Sequence, residues 1–348
     1  MGEITPKENY LRLSRGELPD YLPMGFVQGV PSSSNVGFAD LFVVKGATAF
    51  GVGKPAVPPM TEWTDKWGIP YVANEETNFA ALPKPGAFLL DDVRKWDKVV
   101  KHPEMPERID WEAMAAEATA HVDRSVTAVN ALFSGQTPFQ TFVAFMGFTE
   151  GLIALYEEPE ACEEMINYIA DFYMPIAEKS IEYIKPDILT ISDDTASRQG
   201  PFFSMDIYRR IFKPVYERWA KPATDMGLPI TFHNCGRCED QLEDLYEIGV
   251  RYWNPAEAVN DLVEVKRKFN NRMVISGGWS FSPTPDISET DVREHVRATI
   301  DRLAPGGGYI FSGGLYMVGN REFTPEIIQK INGWISDEAY SYGKDFYK

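Results

Sequence analysis

From residue 187 onward the sequence alternates short apolar runs with amphipathic stretches of helical period, and no other feature restricts the fold as strongly. The runs Asp187–Ser192, Ile230–Asn234, Arg251–Asn254, Met273–Gly278 and Tyr309–Ser312 read as strands. Helical patterns follow them at about 204–226, 238–248, 259–269, 288–303 and 324–337. Strands that alternate with helices pair in parallel, because a parallel connection needs a crossover. At least five such units in succession predict an α/β fold of the (β/α)8 TIM-barrel type. No strand opens into a glycine-rich dinucleotide turn, which tells against an open doubly wound sheet.

Upstream the pattern is less regular. A short helix is expected over 8–19, stopped by Gly16 and Pro19, and a first strand within Tyr21–Val27. Residues 28–108 read as an irregular excursion with one or two short helices, carrying Trp63, Trp67 and Trp96 and packed over the main body. Regularity returns with a helix over Trp111–Ser125, an apolar run over Thr127–Phe133, and helices over 140–157 and 159–183. The chain, 1–348, is thus expected to be a single barrel domain with its N-terminal excursion packed on it.

Composition excludes several function classes. A formal charge of -17 leaves no basic footprint for nucleic acid and makes an anionic membrane surface a poor partner. No leader-like segment and no apolar run of roughly 20 residues is evident. Three cysteines in 348 residues give no disulfide framework, so the expected location is cytoplasmic.

In a barrel, chemistry collects at the carboxyl ends of the strands. Those ends read Asp193 and Asp194; His233, Asn234 and Cys235; Asn254 to Glu257; Gly277 to Trp279; and Ser312 to Gly314. Side chains alternate along a strand, so His233 and Cys235 share one face while Phe232 and Asn234 take the other. An imidazole and a thiolate on one face suit a divalent ion such as zinc, with a third ligand to come from elsewhere. Of Asp193 and Asp194, consecutive residues, one is expected to point into the site and the other to cap a turn. Glu257 divides between a site residue and a helix N-terminal carboxylate. Cys162 and Cys238 each align with an apolar helical stripe and read as core. His102, His121 and His295 fall in a loop or in helices and read as ordinary surface residues.

Taken together, several short runs resemble the uroporphyrinogen decarboxylase superfamily over nearly the full length. They are Tyr10 to Asp20, Asp65 to Gly68, Asp193 with Asp194, Phe232 to Gly236, Asn254 with Pro255, and Gly306 to Ile310. The resemblance implies the barrel and one of two chemistries. The decarboxylase branch grips its polyacid substrate with arginines just after the first strand; here Met24 to Val30 holds none. The methyltransferase branch binds zinc through H-x-C, matched by His233 and Cys235, and a distant cysteine. That third position falls where this chain has Ser312 to Tyr316, without a cysteine. Asp193, Asp194, Glu257, Tyr316 or Cys238 could complete the site.

The resemblance therefore implies a methyltransferase moving a methyl group between a methoxy- or methylamine-type small molecule and a corrinoid on a partner protein, with zinc assisting. Asp193, Asp194 and His233 are the expected catalytic residues, and His233 and Cys235 the expected metal ligands. Asn254, Glu257, Trp279, Phe311 and Tyr316 are expected to bind the substrate. A homodimer is the assembly considered. The alternatives are a cofactor-free decarboxylase using Asp193 or Asp194, and a binding protein of the same fold without catalysis.

Overall fold

The computed structural model describes residues 4–27, 41–45, 61–77, 80–132, 137–315 and 323–348. Eight strands form one sheet: Met24–Val27, Leu41–Lys45, Ala128–Leu132, Ile188–Ser192, Ile230–His233, Val250–Ala256, Val274–Gly278 and Tyr309–Gly313. They are all parallel and follow one another in chain order, and the eighth pairs back onto the first. That is the strand order of the expected TIM barrel. Among the described residues, the first and second strands are the one adjacent pair without a ladder.

The second strand, Leu41–Lys45, lies inside the stretch read from sequence as irregular. Its five residues are too few to show a period, and the glycine-, proline- and serine-rich sequence around them hides the run. Among the described residues of the excursion, short helical turns occur at Val93–Lys95 and Trp96–Val99, and a sheet not expected from sequence precedes them. This small antiparallel sheet, Thr61–Thr64, Pro70–Ala73 and Leu82–Pro83, is tied down by buried Trp67. The indole of Trp67 donates to the Tyr173 hydroxyl at 3.0 Å, on helix Pro159–Lys179.

Two layers of core position the site. Inside the barrel, Ile188, Tyr252, Val274 and Ile310 pack against Tyr10 and Leu13 of helix Pro6–Ser14. That helix starts at Thr5, whose hydroxyl accepts the Glu8 N–H, with proline in its first turn. The ring of Tyr10 stacks on that of Tyr252 at 5.3 Å, and the Tyr252 hydroxyl donates to the Tyr10 carbonyl at 3.0 Å. This plug fills the interior below the site. Outside, alternate strand residues such as Leu189, Ile191, Phe232 and Trp253 are fully buried in the large cluster they share with the helices. Each such side chain contributes roughly 1.5–3 kcal/mol of burial.

Several helices are shorter or more broken than their sequence periods suggest. The pattern over 140–157 is two helices, Pro138–Met146 and Phe148–Glu157, bent by 105° at Gly147. A side chain at Gly147 would overlap the Phe88 ring, which fills the bend. No single helix among the described residues is long and apolar enough to cross a membrane.

One buried cation stands apart from the ion pairs. Lys266, on helix Leu262–Phe269, is buried and donates to the Gly307 carbonyl, with no acidic partner among the described residues. Burial pushes its ammonium down to about 8. A lysine whose folded pKa is lowered holds fewer protons folded than unfolded, so stability rises with pH between the folded and unfolded values. Below that window the charged group costs up to roughly 3 kcal/mol, less ~1 kcal/mol for its hydrogen bond. Lys266→Met is therefore expected to be more stable than wild type near pH ~7, with the gap closing towards pH ~10. Urea unfolding at both values checks this; a gap that widens with pH would contradict it.

Candidate metal-binding active site

The fourth, fifth and sixth strands build the site. Their register sets Ser192, His233 and Asn254 side by side at the carboxyl ends, one layer above Thr190, Thr231 and Tyr252. The alternation expected from sequence holds. Phe232 and Asn234 are fully buried on the helix side, while His233 and Cys235 are half-buried on the interior side. Asn234 is locked in place: its Oδ1 accepts the Thr195 N–H at 3.0 Å, and its Nδ2 donates to Thr195 Oγ1 at 2.8 Å and Gln241 Oε1 at 3.0 Å.

The chain beyond the fourth strand supplies the missing group. Asp194, His233 and Cys235 place one ligand atom each within 4.8 Å of the others. Cys235 Sγ lies 3.7 Å from His233 Nε2, which lies 3.9 Å from Asp194 Oδ1. A tetrahedral ion with ordinary zinc bond lengths holds its sulfur and nitrogen ligands ~3.6 Å apart and its nitrogen and oxygen ligands ~3.3 Å apart. The residues fit such an ion, with the carboxylate set back by roughly half an ångström.

The backbone fixes this group further. Asp194 Oδ1 accepts the Cys235 N–H at 2.8 Å, and Glu257 Oε1 accepts the Gly236 N–H at 2.8 Å. Asn254 Oδ1 sits 3.0 Å from His233 Nδ1. Among the described residues no lysine or arginine pairs with Asp194 or Glu257, so two carboxylates face the site without a counter-cation. Burial first, and then the Asp194 charge, push the Cys235 thiol well above its usual range. A divalent cation would reverse that, since a thiol must lose its proton to ligate.

Asp193 takes the other role. It is fully buried on the helix side, where its Oδ2 accepts the Phe139 N–H at 3.0 Å and the Tyr216 hydroxyl at 2.7 Å. Phe139 lies in the first turn of helix Pro138–Met146, whose N-cap Thr137 makes no side-chain capping bond. Asp193 thus anchors a neighbouring helix start from the helix side of the barrel wall. Burial, opposed by these hydrogen bonds, pushes its carboxyl up to about 7. The structure brings Asp194, and not Asp193, to His233 and Cys235. Tyr216 and Phe139, which hold Asp193, had no signal in the sequence beyond their place on helical stripes.

The remaining candidates divide. Cys238 is fully buried, its thiol 3.6 Å from the Asn234 carbonyl, and lies outside the three-residue group. Cys162 is likewise core. Phe311 is fully buried in the layer between strands and helices, its ring 5.7 Å from that of Trp279. Half-buried Trp279 packs over Gly313 and against His295, at 4.9 Å. Trp279 stays half-buried at the carboxyl end of its strand, while full burial takes Phe311 out of the barrel mouth it was expected from sequence to line. The reason is parity: Ser312 and Ile310 occupy the inward positions on that strand. His102 and His121 are exposed as expected, whereas His295 is half-buried because its ring packs against Trp279 and Phe281. Tyr316 lies outside the described residues.

Comparison with known proteins agrees with this architecture. The sequence model of the uroporphyrinogen decarboxylase (URO-D) family matches residues 72–323. A solved structure described as a methyltransferase from Methanosarcina mazei is similar with a TM-score of 0.56 at 15% identity, covering 97% of this chain and 100% of that one. At that identity the likeness speaks for the fold. None of the curated proteins matches the chain.

Proposed function

This chain belongs to the uroporphyrinogen decarboxylase family, and from that premise we propose that it is a methyltransferase whose site holds a zinc-type cation. In this reading a methyl group passes between a small methoxy- or methylamine-type molecule and a corrinoid carried by a partner protein. The observation that carries the reading is the convergence of Asp194, His233 and Cys235 at the carboxyl end of the barrel. A nitrogen, a sulfur and an oxygen donor at zinc-like spacing leave a fourth position for a substrate heteroatom. Bound there, the cation would act as a Lewis acid on that atom.

The chain's own residues prepare the site. Asp194 serves twice, facing His233 and accepting the Cys235 N–H, so the turn and the ligand group are set together. Glu257 holds the next residue of the turn through the Gly236 N–H and borders Cys235 as a second negative charge. A porphyrinogen decarboxylase must receive a substrate with many carboxylates. Asp194 and Glu257, with no lysine or arginine partner among the described residues, would repel such a polyanion, and for this reason the decarboxylase reading ranks second.

The test uses purified full-length protein with added zinc, reduced cobalamin in place of the corrinoid protein, and methoxy- and methylamine-type donors. Zinc-dependent formation of methylcobalamin is expected from at least one donor class. Turnover of a porphyrinogen with no methyl transfer from any donor would replace this reading with the decarboxylase. Ligand binding without either reaction would favour a binding protein.

A further inference from the structure

We propose that Asn254 is a positioning residue that holds His233 as the Nδ1–H tautomer, and so leaves Nε2 as the atom free to ligate. The inference rests on the metal-site reading above and goes one layer beyond it. Neutral imidazole has one protonated and one bare nitrogen, and the hydrogen bond made by the first decides which nitrogen can bind a metal.

Two independent distances point the same way. On one side of the ring, Nδ1 lies 3.0 Å from Asn254 Oδ1. An amide oxygen only accepts, so the proton of that bond belongs to Nδ1. On the other side, Nε2 is 3.9 Å from Asp194 Oδ1. An Nε2–H group beside a carboxylate would close to a charge-assisted hydrogen bond of ~2.8 Å. It has not closed; the Asp194 oxygen is taken by the Cys235 N–H instead, at 2.8 Å. Cys235 Sγ lies 3.7 Å from Nε2, within reach of a thiol donating to a bare nitrogen.

The fold supplies the positioning. His233 and Asn254 are paired residues on adjacent parallel strands, so their side chains leave the barrel wall side by side on the interior face. The backbone is tied at the same level, since the Asn234 N–H donates to the Asn254 carbonyl at 2.9 Å. Both ends of the pairing are thus fixed, and the imidazole has little freedom to turn over. Asn254, expected from sequence to touch substrate, acts instead through His233.

The experiment is side-chain nitrogen NMR of the metal-free full-length protein at mildly alkaline pH, with His233→Gln to assign the resonance among the four histidines. The expected spectrum shows His233 with a proton on Nδ1 and a bare Nε2. Asn254→Leu is expected to shift His233 towards the Nε2–H form and weaken zinc binding by roughly 10–100-fold. Asn254→Asp, which restores an acceptor oxygen, should return both. An Nε2–H tautomer in wild type, or an unchanged tautomer in Asn254→Leu, would overturn the inference. Should the tautomer depend on Asn254 while neither protein binds zinc, the positioning role stands and the metal reading falls. Should zinc bind tightly with the tautomer indifferent to Asn254, the reverse holds.

Discussion

Replacing Cys235 by serine is expected to lower zinc affinity by roughly 10²–10³-fold, while Cys238→Ser leaves it unchanged. Structural zinc sites bind with ~10–16 kcal/mol shared among about four ligands, so one ligand accounts for roughly 3–4 kcal/mol. The two cysteines are three residues apart, and only Cys235 reaches His233 and Asp194. Cys238 turns its thiol towards the Asn234 carbonyl and is sealed from solvent. The adjacent aspartates give the same contrast. Asp194→Asn should weaken zinc by at least roughly tenfold, because an amide oxygen is neutral and a poorer ligand. Asp193→Asn should leave zinc affinity nearly unchanged and lower thermal stability, since it disturbs the anchor on Phe139 and Tyr216. Competition against a chromophoric chelator measures all four. Equal losses for Cys235→Ser and Cys238→Ser, or a larger loss for Asp193→Asn than for Asp194→Asn, would refute the site.

Why sequence could place His233 and Cys235 but not choose between the aspartates has a physical answer. In a parallel barrel both faces of a strand are covered, so hydrophobic alternation is nearly erased and parity must be read from weaker signals. Such a signal was present. Thr190, Ser192 and Asp194 form a polar series two residues apart, and Thr231, His233 and Cys235 form another, both on the interior face. Reading on that series selects Asp194, and the same logic with Ser312 turns Phe311 outward. Asn254 is different. Its place beside His233 comes from the register between two strands separated by a helix, which no local pattern records. The strand Leu41–Lys45 was lost for a third reason: it stands among irregular sequence, with no helical period after it to mark a crossover unit. The eight-fold plan was therefore legible from the regular C-terminal half alone, while the site needed the register.

Gly236→Ala is expected to destabilise the protein by at least ~3 kcal/mol and to weaken zinc binding with it. Gly236 follows Cys235 directly and has a φ of 86°, a conformation that costs an L-residue roughly 1–2 kcal/mol. The space is also occupied: an added Cβ would sit 2.6 Å from the Ser197 carbonyl oxygen and 2.8 Å from that of Ala196. Those are backbone atoms of a short antiparallel pair, Ala196–Ser197 with Gly200–Pro201, and cannot swing aside like a side chain. The Ser197 carbonyl is held there because it accepts the Arg237 N–H at 2.7 Å. Relief would have to come from the turn itself, which carries the Gly236 N–H bond to Glu257 and the Asn260 bond to the Gly236 carbonyl at 2.9 Å. Moving the turn moves Cys235 away from His233. Gly227→Ala is the matched control, since Gly227 has a φ of 71° but nothing within 4 Å of the added carbon. It should show only the conformational penalty of roughly 1–2 kcal/mol, and no effect on zinc. Denaturant unfolding and chelator competition on the two variants separate backbone strain from collision. If Gly236→Ala proves no worse than Gly227→Ala in both, the turn is not what holds Cys235 in the ligand group.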